Sequence, residues 1–450
     1  MIRLTRLDNV EYQSLRREYL KQLVENMVVA FDVADVLDDD TRKEKKGKTA
    51  ETYEKLRKSC KKLSDYLFDE NGNVHRKRLQ LLLVGPEEMP RSFGGMGECP
   101  ASMRSVFEHI ISGDEWSNGS WHNVLAGGLW TIQTPDEREA IQAVFRYPKM
   151  NEDKGDKDNM AYWIVNRLKA ETCPFCNRMY TKTLMMSKNN ARIRPELDHF
   201  YPKSKYPYLA VSLFNLIPIC SYCNKQKSDY AEMYTRSRKY RYSIIYPYDE
   251  AFNDEQGKRR ASFRLVPGRQ NGSCLNYYKT MIGESTDFTV EIRPTNYGEG
   301  VEFETPCTVL TQTDIEERFS VKTMNGKVSD SEESTYWTRV RNSINRLRLE
   351  KLYNTHELEI ALLLKNRYQY NKIGVEMILR SVFEKEELTL DDQVINWRVR
   401  SMLYFGFLDQ EQWGYSPLNK LKRDILEQMD EMEAFDTNDG GEFGDRQRNT

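Results

Sequence analysis

The chain has 450 residues, more than one hydrophobic core usually serves, and its 39% hydrophobic and 30% charged content suits two or three water-facing globular domains. Aromatic residues at 11% exclude wholesale disorder. The net charge of −2 argues against a chain that is basic throughout, yet residues 161–242 hold fifteen Lys/Arg against five Asp/Glu, a net +10 that leaves −12 for the rest. A basic segment inside an acidic chain is the charge pattern of a phosphate-binding face.

The first residues, MIRLTRLDNVEY, lack the apolar stretch of a signal peptide. No apolar run approaches the roughly 20 residues of a membrane helix, the best being short pieces such as 79–84. A cytoplasmic protein without membrane contact is expected.

Taken in chain order, residues 12–31 place Leu15, Tyr19, Leu20, Leu23 and Met27 at helical spacing. Residues 53–68 continue with Leu56, Leu63, Tyr66 and Leu67, and the charged residues 38–51 between them form a loop or an exposed helix end. A Gly- and Trp-rich stretch with Trp116, Trp121 and Trp130 follows. Thr134-Pro135-Asp136-Glu137 reads as an N-cap with Pro at the first helical position, opening a helix that runs to Phe145. The polar run Asn151-Glu-Asp-Lys-Gly-Asp-Lys-Asp158 marks a boundary.

Beyond the basic segment, Phe263/Leu265, Phe288/Val290/Ile292 and Val301/Phe303 alternate with polar residues, the pattern of a small antiparallel sheet. Helical spacing returns near Trp337 with Leu347, Leu352, His356, Leu363 and Tyr370, then over 393–405 and 417–432. Residues 427–445 hold eight acids and no Lys or Arg, and are expected to be solvated and partly disordered. The fold class is therefore α+β and mainly helical. The expected domains are 1–150 (helical, of unknown role), 159–242, 243–335 (the β section), 336–434 (helical) and an acidic tail, 435–450.

Eight cysteines are present. Cys60, Cys99, Cys274 and Cys307 are scattered and read as reduced core residues. The other four form two knuckles, Cys173-Pro-Phe-Cys176 and Cys220-Ser-Tyr-Cys223, each able to give two thiolates to one tetrahedral Zn²⁺. Four thiolates leave no open position for substrate, so such a zinc would be structural. The 43 residues between the knuckles leave room for a functional hairpin.

Between the knuckles lies Glu196-Leu-Asp-His-Phe-Tyr-Pro-Lys203, followed by Phe214-Asn-Leu-Ile-Pro-Ile-Cys-Ser-Tyr-Cys-Asn-Lys-Gln-Lys-Ser-Asp229. Over residues 173–229 the chain resembles the HNH, or ββα-metal, endonucleases: Asp-His at a strand end, Asn-Leu before the second knuckle, then Cys-x-x-Cys-Asn-x-x-Lys opening a helix. The resemblance implies a central zinc-stapled nuclease module flanked by helical regions. His199, with imidazole's ordinary pKa of about 6.5, would deprotonate the attacking water. Asp198 and Asn224 would offer hard oxygens to catalytic Mg²⁺ or Mn²⁺. The family pattern often ends in histidine where this chain has Asn224, which favours Mg²⁺ over softer metals. By resemblance, Asn215 tethers the loop that orients His199.

Successive residues of a regular strand point to opposite faces, so a bulge or turn is expected at Asp198-His199 if both serve one site. Lys203, Lys225 and Lys227 are candidate phosphate contacts. In Tyr234-Thr-Arg-Ser-Arg-Lys-Tyr-Arg-Tyr242, the cations Arg236, Arg238, Lys239 and Arg241 interleave with tyrosines. That segment either tracks a nucleic-acid backbone and stacks on bases, or forms a solvated helix face.

Leu347-x-x-Glu-Lys-Leu-Tyr-Asn-Thr-His-Glu357 and Pro417-Leu-Asn-Lys-Leu-Lys-Arg-Asp-Ile425 are loosely similar to the C-terminal regions of HNH subunits in bacterial anti-phage systems, the Septu type and its retron-linked relatives. That similarity implies an ATPase subunit as partner. The expected activity is phosphodiester hydrolysis, of DNA first and of RNA (tRNA included) second. A non-catalytic zinc module that binds nucleic acid or a protein would share the knuckles and basic face, yet would not need Asp198, His199 and Asn224 together.

Overall fold

The computed structural model describes residues 1–4, 7–25, 31–37, 47–93, 102–112, 134–145, 160–185, 192–228, 244–252, 261–268, 274–295, 302–303, 314–319, 321–322, 332–370, 377, 380–381 and 416–438. Within these, the helices are α1 (Asn9–Glu25), α2 (Val33–Val36), α3 (Lys48–Ser59), α4 (Lys61–Leu67), α5 (Arg76–Val84), α6 (Met103–Ser112), α7 (Pro135–Val144), α8 (Met160–Leu168) and α9 (Ser221–Lys227). They continue as α10 (Cys274–Met281), α11 (Ile315–Arg318), α12 (Glu332–Leu347), α13 (Leu349–Tyr353), α14 (Glu357–Gln369) and α15 (Asn419–Asn438). The strands are β1 (Leu184–Met185), β2 (Arg192–Ile193), β3 (Glu196–His199), β4 (Leu216–Ile219), β5 (Ala261–Pro267), β6 (Phe288–Pro294), β7 (Glu302–Phe303) and β8 (Val321–Lys322). They pair only in twos, as the antiparallel ribbons β1–β2, β3–β4, β5–β6 and β7–β8. The described chain is mainly helical. No described helix is long and apolar enough to cross a membrane.

Two units divide the chain. The first takes in Arg3–Phe175 and Thr181–Ala251, the second Cys176–Tyr180 and Phe252–Thr450.

In the first unit, α1 buries Tyr12, Leu15, Tyr19, Leu20 and Leu23, the stripe its spacing predicts. Its tyrosines also carry polar ends inward: Tyr12 donates to the carbonyl of Pro86 and Tyr19 to that of Val211, each at 2.8 Å. The helix expected over 53–68 is two helices, because the chain turns out of helical geometry at Cys60 (φ −148°). Helix α7 opens as its sequence dictates. The Thr134 hydroxyl accepts from the Glu137 amide at 3.2 Å while the Glu137 carboxylate accepts from the Thr134 amide at 3.0 Å, a reciprocal cap. Asp249 does the same for α6 from a distance in sequence, accepting from the amides of Met103 (2.9 Å) and Arg104 (2.7 Å) and from the Ser92 hydroxyl (2.7 Å). Burial pushes the Asp249 carboxyl above the ordinary carboxylate range, against the lowering effect of those three hydrogen bonds.

In the second unit, the expected single sheet is instead two separate ribbons, β5–β6 and β7–β8. The polar residues that alternate along β5 and β6 are buried as well as the apolar ones. Ser262, Arg264, Glu291 and Arg293 are buried together with Phe263, Leu265, Val290 and Ile292. The polar face is buried because charge partners accompany it: Arg293 meets Glu291 at 2.7 Å, and Arg318 lies 3.8 Å from Glu291 and also pairs with Glu350. Helices also close the ribbon's outer edges. Asn354 takes both the amide (2.6 Å) and the carbonyl (3.1 Å) of Val290, while Glu350 accepts from the Ile292 amide at 2.7 Å. On the other edge, Asp424 accepts from the Phe263 amide at 2.9 Å, and Gln428 takes the amide (2.8 Å) and carbonyl (3.0 Å) of Leu265. Helix α15 runs to Asn438, so the acidic stretch begins in helix, as its Glu, Met and Ala content permits. The Trp-rich stretch, the boundary at 151–158, Cys99, Cys307, residues 393–405 and residues 439–450 lie outside the described residues.

Candidate metal centre and active site

The two knuckles fold by short-range rules. In the first, Asn177 takes the left-handed conformation (φ 49°), one that asparagine tolerates well, and so turns the chain back after Cys176. The Arg178 amide then donates to Cys176 Sγ at 3.4 Å. Within the second unit this turn is also held by the Tyr353 hydroxyl on the Cys176 carbonyl and by the Leu418 amide on the Asn177 carbonyl at 2.6 Å. In the second knuckle, Cys220 is the N-cap of α9, its sulfur accepting from the Cys223 amide at 3.5 Å. Cys173, Cys176, Cys220 and Cys223 are buried thiols, and their sulfurs all lie within 4.8 Å of one another. A tetrahedral ion with metal–sulfur bonds of about 2.3 Å needs sulfurs roughly 3.8 Å apart. The donor set thus fits one Zn²⁺. Cys60 is also buried, and burial raises its thiol pKa, as for a reduced core residue.

Strands β3 and β4 pair one to one, Asp198 opposite Ile217 and His199 opposite Leu216, and the ladder continues with the Phe200 amide on the Asn215 carbonyl at 2.8 Å. The bulge expected at Asp198-His199 is therefore absent, and the two side chains take opposite faces of a regular strand. Buried β4 is fixed from outside by two tyrosines: Tyr246 donates to the Phe214 carbonyl at 2.5 Å and Tyr248 to the Leu216 carbonyl at 2.7 Å. Immediately after β4, Cys220 opens α9, so the chain runs strand, strand, helix.

One face of β3 meets α9 through two pairs. Glu196 and Asp198, two residues apart, share that face, as do Asn224 and Lys227, three apart on the helix. The Asn224 amide donates to the Glu196 carboxylate, and Lys227 Nζ lies 2.8 Å from Asp198 Oδ2. Lys227, a candidate phosphate contact, is only 1% exposed. Its ammonium also donates to the His199 carbonyl at 2.8 Å and lies 5.9 Å from the centre of the Phe200 ring. Burial follows from that company: a carboxylate, a carbonyl and an aromatic face together replace water around the charge.

On the other face, His199 is buried and its Nε2 lies 2.9 Å from the Ala210 carbonyl. A carbonyl only accepts, so Nε2 carries the proton in the neutral ring and Nδ1 holds the basic lone pair. The loop that supplies Ala210 is tied by fully buried Asn215, whose Oδ1 accepts from the Tyr201 amide at 2.7 Å. Its Nδ2 donates to the carbonyls of Tyr201 (3.1 Å) and Leu209 (2.9 Å). Arg104 packs behind, its guanidinium 5.3 Å from the Phe200 ring centre and 5.8 Å from that of Tyr246. Burial holds the phenols of Tyr201 and Tyr246 well above their ordinary range, so neither serves as a base near neutral pH.

Lys203 and Lys225 are exposed. Arg236, Arg238, Lys239 and Arg241 lie outside the described residues. Sequence reasoning missed Glu196 as a partner of Asn224; its place two residues before Asp198 on a strand was the available signal. Set against family models, curated proteins and solved structures, the chain matches none.

Proposed function

We propose that this protein is an HNH-type endonuclease, its strand–strand–helix module (β3, β4, α9) stapled by structural zinc and hydrolysing phosphodiester bonds with a second, divalent metal. One observation carries the reading: β3 ends in Asp198-His199, and its Glu196 and Asp198 pack on a helix that springs from the second thiol knuckle and bears Asn224. Glu196, Asp198 and Asn224 form an oxygen donor set of the kind Mg²⁺ or Mn²⁺ prefers. Bound there, the ion would bear charge that builds on the phosphate and on the leaving oxygen. His199 Nδ1 takes the proton of the attacking water while the Ala210 carbonyl holds the ring through Nε2. Asn215 fixes the loop that carries that carbonyl. Exposed Lys203 and Lys225 contact phosphates, and the basic content of residues 161–242 supplies the wider field.

DNA is the first choice of substrate and RNA the second, since the chemistry touches groups both share. A role in bacterial anti-phage defence beside an ATPase subunit, in the cytoplasm, completes the proposal. Purified protein incubated with plasmid DNA and with total RNA should cleave one of them in Mg²⁺ and neither in EDTA. Intact substrates under every metal condition would reject the reading.

A second reading, a non-catalytic zinc module that binds nucleic acid or a protein, draws on the same pairs: Asp198 with Lys227 and Asn224 with Glu196 are self-sufficient polar contacts. It predicts nucleic-acid or partner binding without turnover, indifferent to His199→Ala.

A further inference from the structure

We propose that Lys227 is a resident counter-cation of the divalent-metal site: its ammonium occupies the Asp198 carboxylate until the metal displaces it, and it is then released as a phosphate contact. The proposal rests on the reading of Asp198 as a metal ligand. Four observations lead to it. The ammonium lies 2.8 Å from Asp198 Oδ2, where a cation bound to that oxygen would exclude it. Lys227 is buried and Asp198 half-buried, their side chains 1% and 13% exposed, so water only partly screens a second positive charge beside the first. Lys227 sits in the last turn of α9, three residues after Asn224, so any ion reaching Asp198 and Asn224 together must contend with it. Two further contacts, the His199 carbonyl at 2.8 Å and the Phe200 ring at 5.9 Å, are with neutral groups that hold an ammonium in place without binding it irreversibly.

Exchange explains two features at once. A carboxylate meant for a metal keeps a cationic partner until the metal arrives. A lysine in the basic segment is hidden in that state and becomes available only when the site is loaded. No covalent step is involved: one cation leaves a carboxylate as another arrives.

The sign of the effect separates this role from a structural one. A lysine that merely supported the fold would, on removal, leave metal binding unchanged or weaker. A competing cation, on removal, leaves it tighter. Mn²⁺ binding to full-length, zinc-loaded protein, measured by calorimetry without nucleic acid, tests this in the wild type and in Lys227→Met, Lys227→Gln and Asp198→Ala. Lys227→Met should bind Mn²⁺ at least about tenfold tighter than wild type, with Lys227→Gln close behind. Equal or weaker binding by a folded Lys227 variant overturns the proposal. Should neither variant fold, wild-type protein decides by brief amine acylation and peptide mapping. Lys227 should label poorly without Mn²⁺ and at least about tenfold more with it, against exposed Lys225 as internal reference, since release ends its burial. Labelling indifferent to Mn²⁺ overturns the proposal as well. If Asp198→Ala binds Mn²⁺ as wild type does, the metal-site reading falls with it. If Asp198→Ala loses binding while Lys227→Met gains none, only the role of Lys227 falls.

Discussion

Ribbons β3–β4 and β5–β6 are both two-stranded and antiparallel, and a lone pair of strands is marginal in water, yet they are secured by different means. The β5–β6 ribbon is closed by protein alone. Asn354, Glu350, Asp424 and Gln428, from α13 with its C-cap and from α15, take up its edge groups, and Glu291, Arg293, Arg318 and Glu350 neutralise one another within it. The β3–β4 ribbon is followed directly by a thiol knuckle, and its charged groups meet α9, Asp198 through Lys227 and Glu196 through Asn224. A region that only has to persist can bind every polar group permanently. On the proposed reading, a region that works keeps some of them replaceable.

The largest effect that could break this contrast is loss of zinc. A structural zinc contributes on the order of 10 kcal/mol of folding free energy, so Cys173→Ser or Cys220→Ser should lose the metal and unfold the knuckled region. Native mass spectrometry of wild-type protein should find about one equivalent of zinc, and brief EDTA treatment should strip Mg²⁺ while leaving zinc and fold in place. Less than about half an equivalent in carefully purified protein would count heavily against a thiolate site.

Next in size is Asp424→Ala. It leaves Lys420, now 2.6 Å from that carboxylate and fully buried, without its counter-charge, and strips the Phe263 amide of its acceptor. Breaking such a buried pair costs about 3–5 kcal/mol, read as a lower denaturant midpoint, with zinc content unchanged in the folded fraction. A neutral outcome would mean the β5–β6 ribbon does not depend on its edge partners.

Asn215→Ala should cost somewhat less, on the order of 3 kcal/mol, as the Tyr201 and Leu209 backbone groups lose a buried partner. Cleavage should fall further than stability does, because the loop that sets the His199 ring is freed. The smallest effect belongs to Lys225→Ala, which should weaken nucleic-acid binding slightly and reduce the slope of log affinity against log salt by about one. An unchanged slope would remove Lys225 from the interface.

What sequence could disclose here was local. The two Cys-x-x-Cys pairs and the reciprocal cap of Thr134 and Glu137 depend on residues three apart, so spacing alone located them. Lys227 looked like any surface cation, because its burial depends on Asp198 and Phe200, nearly thirty positions away. The burial of the polar face of β5–β6 was illegible for the same reason: the partners that allow Arg293 and Glu291 to be buried come from Arg318 and Glu350, far along the chain. The bulge at Asp198-His199 was expected on the premise that both side chains share one face. The regular register shows His199 held by the Ala210 carbonyl instead, a contact no spacing rule anticipates.

The central claim, a nuclease whose base is His199, is tested most directly by measuring single-turnover cleavage and equilibrium binding side by side for wild type and His199→Ala. A general base contributes to the transition state more than to ground-state binding, so cleavage should fall by about 10²–10⁴-fold. Nucleic-acid affinity and zinc content should stay near wild type. Full cleavage by pure His199→Ala protein would contradict the account and place the active site elsewhere.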